Sequence, residues 1–388
     1  MSRRTGAAVA ALLALLAACG GGGGAGGGGD ATDIRGEWRP MAAAPIEGRT
    51  SAASVWTGRE LVVWGGGACT GNPCQGVNVR PLDDGAAYDP ATDRWRTIAA
   101  SPLSARSGSA SAWTGRELLV WGGTAVETPL ADGAAYDPAA DRWRVIAPAP
   151  LAARRTSSTW TGREWVFWGG YSPETGELFA DGAAYDPAAD AWRLLPPVPL
   201  EPRERVAAVW TNREVVVWGG GTRDAAFADG AAYDPAADRW RPVAESPLAP
   251  RFSRGVWVDQ EIVFWGGEDW RQVFADGAAY NPTSDSWRPV STSPLSGRVG
   301  TAGVWTGTEL LIWGGTPGTF NNFFADGAAY NPALDRWRRL PPSSGRFASG
   351  AVWTGREMLV WGGIVPLPGG GSQTRIESPA DGQRLTPA

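Results

Sequence analysis

The tripeptide Trp-Gly-Gly occurs seven times, at Trp64, Trp121, Trp168, Trp218, Trp265, Trp313 and Trp361, at spacings of 57, 47, 50, 47, 48 and 48 residues. A period of that length marks a repeat architecture, in which one supersecondary unit recurs and stacking buries a shared core. A second series (Trp56, Trp113, Trp160, Trp210, Trp257, Trp305, Trp353) precedes the first by eight residues in every copy. A third is Trp38, Trp95, Trp143, Trp192, Trp240, Trp287 and Trp337, so only Trp165 and Trp270 of the 23 tryptophans fall outside a series. Aromatic residues at the same place in every copy are core between units rather than seven binding sites. The 54 Gly and 31 Pro of the 388 residues would suggest disorder if scattered, but they recur at fixed offsets from these aromatics.

Each copy reads as four short strands, a to d. In the second copy, a runs near Gly108 to Trp113, b from Leu118 to Trp121, c from Gly133 to Tyr136 and d from Trp143 to Ile146. The a–b turn centres on Gly58, Gly115, Gly162, Asn212, Asp259, Gly307 and Gly355, the residue types that tolerate positive φ in a tight hairpin. The c–d turn is Asp-Pro-Ala-x-Asp or a close variant, with Pro presetting φ. No helical periodicity follows the first 18 residues. A four-stranded sheet of this size cannot bury both faces alone, so the units are expected to pack face to face around an axis.

Gly-Gly after an apolar strand, then a Tyr, then a Trp seven positions later (Tyr88/Trp95, Tyr136/Trp143, Tyr185/Trp192, Tyr233/Trp240, Tyr280/Trp287, Tyr330/Trp337) resembles the kelch repeat. The resemblance implies an all-β, seven-bladed kelch-type β-propeller over residues 37–388. The chain enters at Trp38 without a preceding Asp-Gly-Ala-Ala-Tyr, so it starts on a strand d, and the N-terminal strand should close the last blade. The last strand c starts as Ala380-Asp381-Gly382 but continues Gln383-Arg384-Leu385, which points to a frayed or irregular blade there.

The chain contains no His and no Lys, so all 35 basic side chains are Arg. That excludes His-dependent triads, His-bound metals and a His acid or base. It also excludes the radical copper chemistry of galactose-oxidase-like propellers, whose copper site needs His. No cofactor and no metal are expected. The net charge of −5 leaves no net basic footprint for nucleic acid.

Met1-Ser2-Arg3-Arg4 followed by the apolar run Ala7 to Ala18 reads as a signal peptide over 1–18, too short to span a bilayer. It ends in Leu16-Ala17-Ala18-Cys19, which resembles the lipobox of bacterial lipoproteins, with Cys19 as the lipidated first residue of the mature chain. Residues 19–36 then form a Gly-rich tether. The expected setting is the bacterial cell envelope, lipid-anchored, with Gly20 favouring the outer membrane, facing the periplasm or the cell surface. The membrane is reached through the anchor alone, and a monomer is expected. In an exported protein, Cys69 and Cys74 are expected to form a local disulfide.

The strand order puts the d–a and b–c loops on one face of the disc and the uniform a–b and c–d turns on the other. Function is expected on the loop face, where sequence varies. Arg49, Arg106, Arg154, Arg203, Arg251, Arg298 and Arg346 form one ring there, and Asp84, Asp132, Asp181, Asp229, Asp276, Asp326 and Asp381 another. These are either an anion-binding funnel or mutual ion pairs, and their recurrence in every blade favours the pairs. A Glu ring, Glu60 and Glu117 to Glu357, reads as structural or solvated on the opposite face.

Residues that break the repeat are the candidate ligand contacts: Tyr171, Arg205, Trp270, Arg271, Phe320, Asn322 and Phe323, with Arg254 as a further extra arginine. Trp270, Phe320 and Phe323, edged by Arg271 and Asn322, are expected to form an aromatic shelf for a sugar ring or an extended peptide. In kelch adaptors that capture acidic peptides, an Arg two residues after the repeat Arg helps bind the carboxylate, and Arg205 matches that position. The resulting expectation is a membrane-tethered binding or scaffold module for an envelope protein or glycan. The alternatives are a carbohydrate-active enzyme of the mutarotase kind working through Glu and Arg, and a purely structural subunit. For an enzyme, the loops offer Glu174 with Glu177 and Glu268 with Asp269.

Overall fold

The computed structural model describes residues 35–69, 78–319, 322–347, 349–366 and 376–387. These contain strands and turns and no α-helix, arranged as seven four-stranded antiparallel sheets with three small hairpins in the b–c loops. Blades are numbered from the N-terminus, and in blade 2 the strands are a (Ala110–Trp113), b (Leu118–Trp121), c (Gly133–Asp137) and d (Arg142–Val145). Strand b falls where its sequence placed it, and the other three within two residues.

Strands a touch one another in a closed cycle, from Ala53–Trp56 of blade 1 through each neighbour to Gly350–Trp353 of blade 7 and back, so they surround the axis. The seventh sheet has the order Gly350–Trp353, Met358–Trp361, Gly382–Thr386, Glu37–Pro40, so the N-terminal strand is its outer edge. Glu37 pairs with Thr386 and Pro40 with Gln383. The last strand c is not frayed: Met358 to Trp361 pair in unbroken register with Leu385 to Gly382. Leu385 replaces the repeat tyrosine and is fully buried, so the side chain that breaks the pattern still fills the same apolar slot.

Strands b are buried along their length, save Glu261 at the start of the blade 5 strand, because each blade is covered on both faces by its neighbours. Each fully buried Val or Leu there contributes on the order of 2 kcal/mol. Trp165, outside the three series, is fully buried beside Phe167 at 4.4 Å and belongs to this core. The strand-d tryptophans clasp the blades: Trp95 donates to the Ala42 carbonyl, Trp143 to Ala99, Trp192 to Ala147, Trp240 to Pro196, Trp287 to Ala244, Trp337 to Ser291 and Trp38 to Pro341, all at 2.8–3.0 Å. The a–b turns have the expected positive φ, from +54° at Asp259 to +98° at Gly307.

Candidate functional site

The recurring charges are structural. Each ring arginine is at most 2% exposed and is held by its own blade's aspartate, as in Arg106–Asp132 (2.8 Å), Arg203–Asp229 (2.6 Å) and Arg346–Asp381 (2.7 Å). Phe179, Phe227, Phe274 and Phe324 lie flat against four of them, at 3.6–4.2 Å from guanidinium to ring centre. The backbone of the same arginines accepts from the preceding blade, as in Gly66 N–H to Arg106 and, across the ring seam, Gly363 N–H to Arg49, both 2.9 Å. On the opposite face the glutamates hold strand-d arginines, as in Arg144–Glu117 at 2.8 Å. Those arginines also reach the next blade's tyrosine hydroxyl, as in Arg193 to Tyr233 at 2.8 Å. The ion-pair reading of the rings holds, and an anion funnel built on them does not.

The functional candidates therefore begin where the ring arginines end. The residues just after them differ from blade to blade: Thr50 and Ser51 in blade 1, Ser107 and Gly108 in blade 2, Arg155 in blade 3, Glu204 and Arg205 in blade 4, and Phe252 to Arg254 in blade 5. Burial holds the Glu204 carboxyl above its ordinary range against the pull of Arg205 and Arg155. Residues of blades 3 to 7 together enclose a cavity of about 580 Å³ at the loop-face end of the axis, a size usual for small-ligand sites. A second cavity of about 620 Å³ lies on the turn face between blades 4 and 5. Its central charges, Arg241 with Glu214 and Asp285, belong to a pairing that recurs from blade to blade, so the loop-face cavity is the better candidate.

Arg205 and Phe252 line that cavity, and Trp270 packs against both from outside it. The Arg205 guanidinium stacks over Phe252 at 4.4 Å and Trp270 at 4.9 Å and pairs with Glu268 at 2.8 Å. Phe252 and Trp270 meet edge to face at 4.8 Å, and the Trp270 indole donates to the Thr222 carbonyl at 3.2 Å. Trp270 is nonetheless 49% exposed and sits at φ +71°, a left-handed conformation that costs a bulky residue about 1–2 kcal/mol. Arg205, at φ +56°, shares that conformation.

The expected shelf does not form as one surface. Phe323 is 8% exposed and packs with Ile364 and Ile376, against Cys69, Val79 and Phe347, in a small core under the loops of blades 6, 7 and 1. It is loop core because Phe347 and the blade 7 loop lie over it, whereas Trp270 turns towards blade 4. Asn322 and Arg271 are exposed, and Phe320 lies outside the described residues. Tyr171 ends a long strand b in blade 3, is 8% exposed and hydrogen-bonds Arg223 of the next blade. Cys69 is disulfide-bonded, whereas Cys74 and Cys19 lie outside the described residues. Of the carboxylates offered for catalysis, Glu268 is committed to Arg205. Burial pulls the Asp269 carboxyl upward, but the amides of Gln272 and Arg271 that it accepts hold it below its usual range as a turn cap.

The sharpest site residue carries a signal that reading by loops misses. Three residues before each strand-a Trp stand Ala53, Ala110, Ser157, Ala207, Arg254, Ala302 and Gly350: six small side chains and one arginine. Arg254 lines the cavity, and its guanidinium has no hydrogen-bond or carboxylate partner among the described residues. The side chain is exposed to solvent, while desolvation by the residues around it lowers its pKa and the Arg205 charge lowers it further. A solvent-accessible guanidinium at the wall of a cavity is free to take an anion through charge-assisted hydrogen bonds.

The family model described as the KLHDC2/KLHL20/DRC7 Kelch-repeats domain matches residues 155–363, more than half of the chain, from strand a of blade 3 to the last Gly-Gly. No curated protein sequence matches the chain. With seven closed blades and that match, the chain belongs to the kelch-repeat family of β-propellers.

Proposed function

We propose that this propeller is a binding module of the bacterial cell envelope, held at the membrane by a lipid on Cys19 and engaging an envelope protein through its loop face. The observation that carries the reading is the loop-face cavity, where Arg254, the one arginine of an otherwise small-residue ring, has no ion-pair partner among the described residues, and where Arg205 at the wall bears the half-exposed Trp270. Kelch propellers generally act as protein-interaction modules, and the repeat-breaking residues gather at this end of the axis. The charged leader and the Leu16-Ala17-Ala18-Cys19 box support the anchor. Strand Glu37–Pro40 begins at the turn face, since Glu37 pairs with the end of the last strand c, so a tether leaving it would direct the loop face away from the bilayer. A glycan is the second reading, favoured by the open ring of Trp270, a surface on which a sugar can stack.

The test is fractionation together with capture. Cys19→Ala should move the chain from membrane to soluble fraction, and the wild-type chain should retain an envelope protein that Trp270→Ala with Arg205→Glu does not. Unchanged membrane retention contradicts the anchor, and equal capture by the variant contradicts the face.

A further inference from the structure

Arg254 immediately precedes strand a of blade 5 and lies on the same side of that strand as Val256. Across the blade interface stands Gly303, whose missing side chain would point at Val256 with nothing nearer than 3.9 Å. The equivalent pairs at the other interfaces are small on both sides, as in Ala53 with Ser111, Ala110 with Ser158 and Ala302 with Ala351. Gly350 shows how tight such an interface is: a Cβ there would come within 2.7 Å of the Ser54 hydroxyl. Between blades 5 and 6, therefore, one small residue has become an arginine and the facing one has lost its side chain altogether. The space so opened is walled by Val256, Val263, Leu310 and Ile312 and continues into the axial cavity.

The charges around this space set the valence of what it can hold. Arg205 is neutralised by Glu268 at 2.8 Å and Arg298 by Asp326 at 2.8 Å, which leaves Arg254 as the one charged residue lining the space without an ion pair among the described residues. A monoanion balances it and a dianion would overcompensate it. Charge-assisted bonds from a guanidinium suit a carboxylate, and the aliphatic walls beyond it suit an apolar body.

We infer that the cleft between blades 5 and 6 binds a small free monocarboxylic acid, with its carboxylate on Arg254 and its hydrocarbon body between Val256, Val263, Leu310 and Ile312. The cleft belongs to the folded propeller and does not depend on the lipid anchor or on a protein partner.

Calorimetric titration of the full chain with acetate, butyrate and hexanoate at constant ionic strength tests this. Affinity should rise by about fourfold per added methylene, and hexanoate should bind at least tenfold more tightly than hexanol. Arg254→Gln should abolish that preference for the acid. Gly303→Leu fills the cleft from blade 6 without touching Arg254 and should abolish binding of hexanoate, with the melting temperature of each variant confirming that it folds. Flat affinity along the series, equal binding of acid and alcohol, or unchanged hexanoate binding by folded Arg254→Gln would overturn the assignment. Stronger binding of sulfate than of hexanoate would overturn it as well, as would a peptide with a free apolar C-terminus that binds where hexanoate does not.

Discussion

The indole N–H of Trp38 donates to the Pro341 carbonyl at 2.8 Å, the same clasp that Trp95 makes to Ala42 between blades 1 and 7. Trp38 also lies 5.0 Å from the ring of Trp313. The N-terminal strand is thus held to blade 7 by its backbone ladder and to blade 6 by one side chain. Trp38→Ala should cost about 3 kcal/mol, read as a lowered midpoint in denaturant. Deleting residues 36–44 should remove cooperative unfolding altogether, since it leaves an open strand edge on blade 7. An unchanged midpoint for either variant would show that the ring does not depend on this strand.

The buried arginines make a second prediction. Asp229→Ala leaves Arg203 enclosed without its counter-charge, at a cost of about 3 kcal/mol. Asp224→Ala, on an exposed loop, should cost less than about 0.5 kcal/mol. Equal effects in chemical denaturation would mean that the Arg–Asp pair is not a pin.

The pH dependence follows from the Tyr–Asp pairs that brace each c–d turn. The bond from the Tyr88 hydroxyl holds Asp93 below its ordinary pKa, and the bond from Arg106 does the same for Asp132. Their stabilisation is present above about pH 4, the unfolded value, and is lost as pH falls through the lower folded values. Burial raises the tyrosines, and the bond to aspartate raises them further, Tyr330 to about 12. Their contribution is intact below about pH 10 and is lost as pH rises from there through the folded value. Melting temperature should therefore be level between about pH 5 and 9 and fall on both sides. A steady decline within that window would contradict the assignment.

How much of this was legible depends on whether a residue belongs to the repeat. The blades, the turns with positive φ and the closure by Glu37–Pro40 follow from periodicity, because a side chain found seven times at one offset is fixed by its neighbours in the sheet. Phe323 and Trp270 looked alike in sequence, as aromatic residues in consecutive b–c loops. Only the course of the loops makes one of them core and leaves the other open. Arg254 was visible as an extra arginine, but its meaning needed the strand-a register and the facing Gly303 on another blade, a relationship between residues 49 positions apart.

That difference can be measured directly. Phe323→Ala should lower stability by about 3 kcal/mol, as for a buried aromatic residue, while Trp270→Ala should leave the melting transition nearly unchanged. Thermal unfolding of the two single variants checks this, and a larger loss for Trp270→Ala would place that residue in the loop core.

The central claim is that partners meet the loop face and not the turn face. A photo-crosslinking amino acid placed at Arg271 on the loop face and, separately, at Arg116 on the turn face, in cells expressing the full chain, tests it most directly. The account predicts a discrete crosslinked partner from position 271 that is absent from position 116. A partner crosslinked from position 116 alone would contradict it.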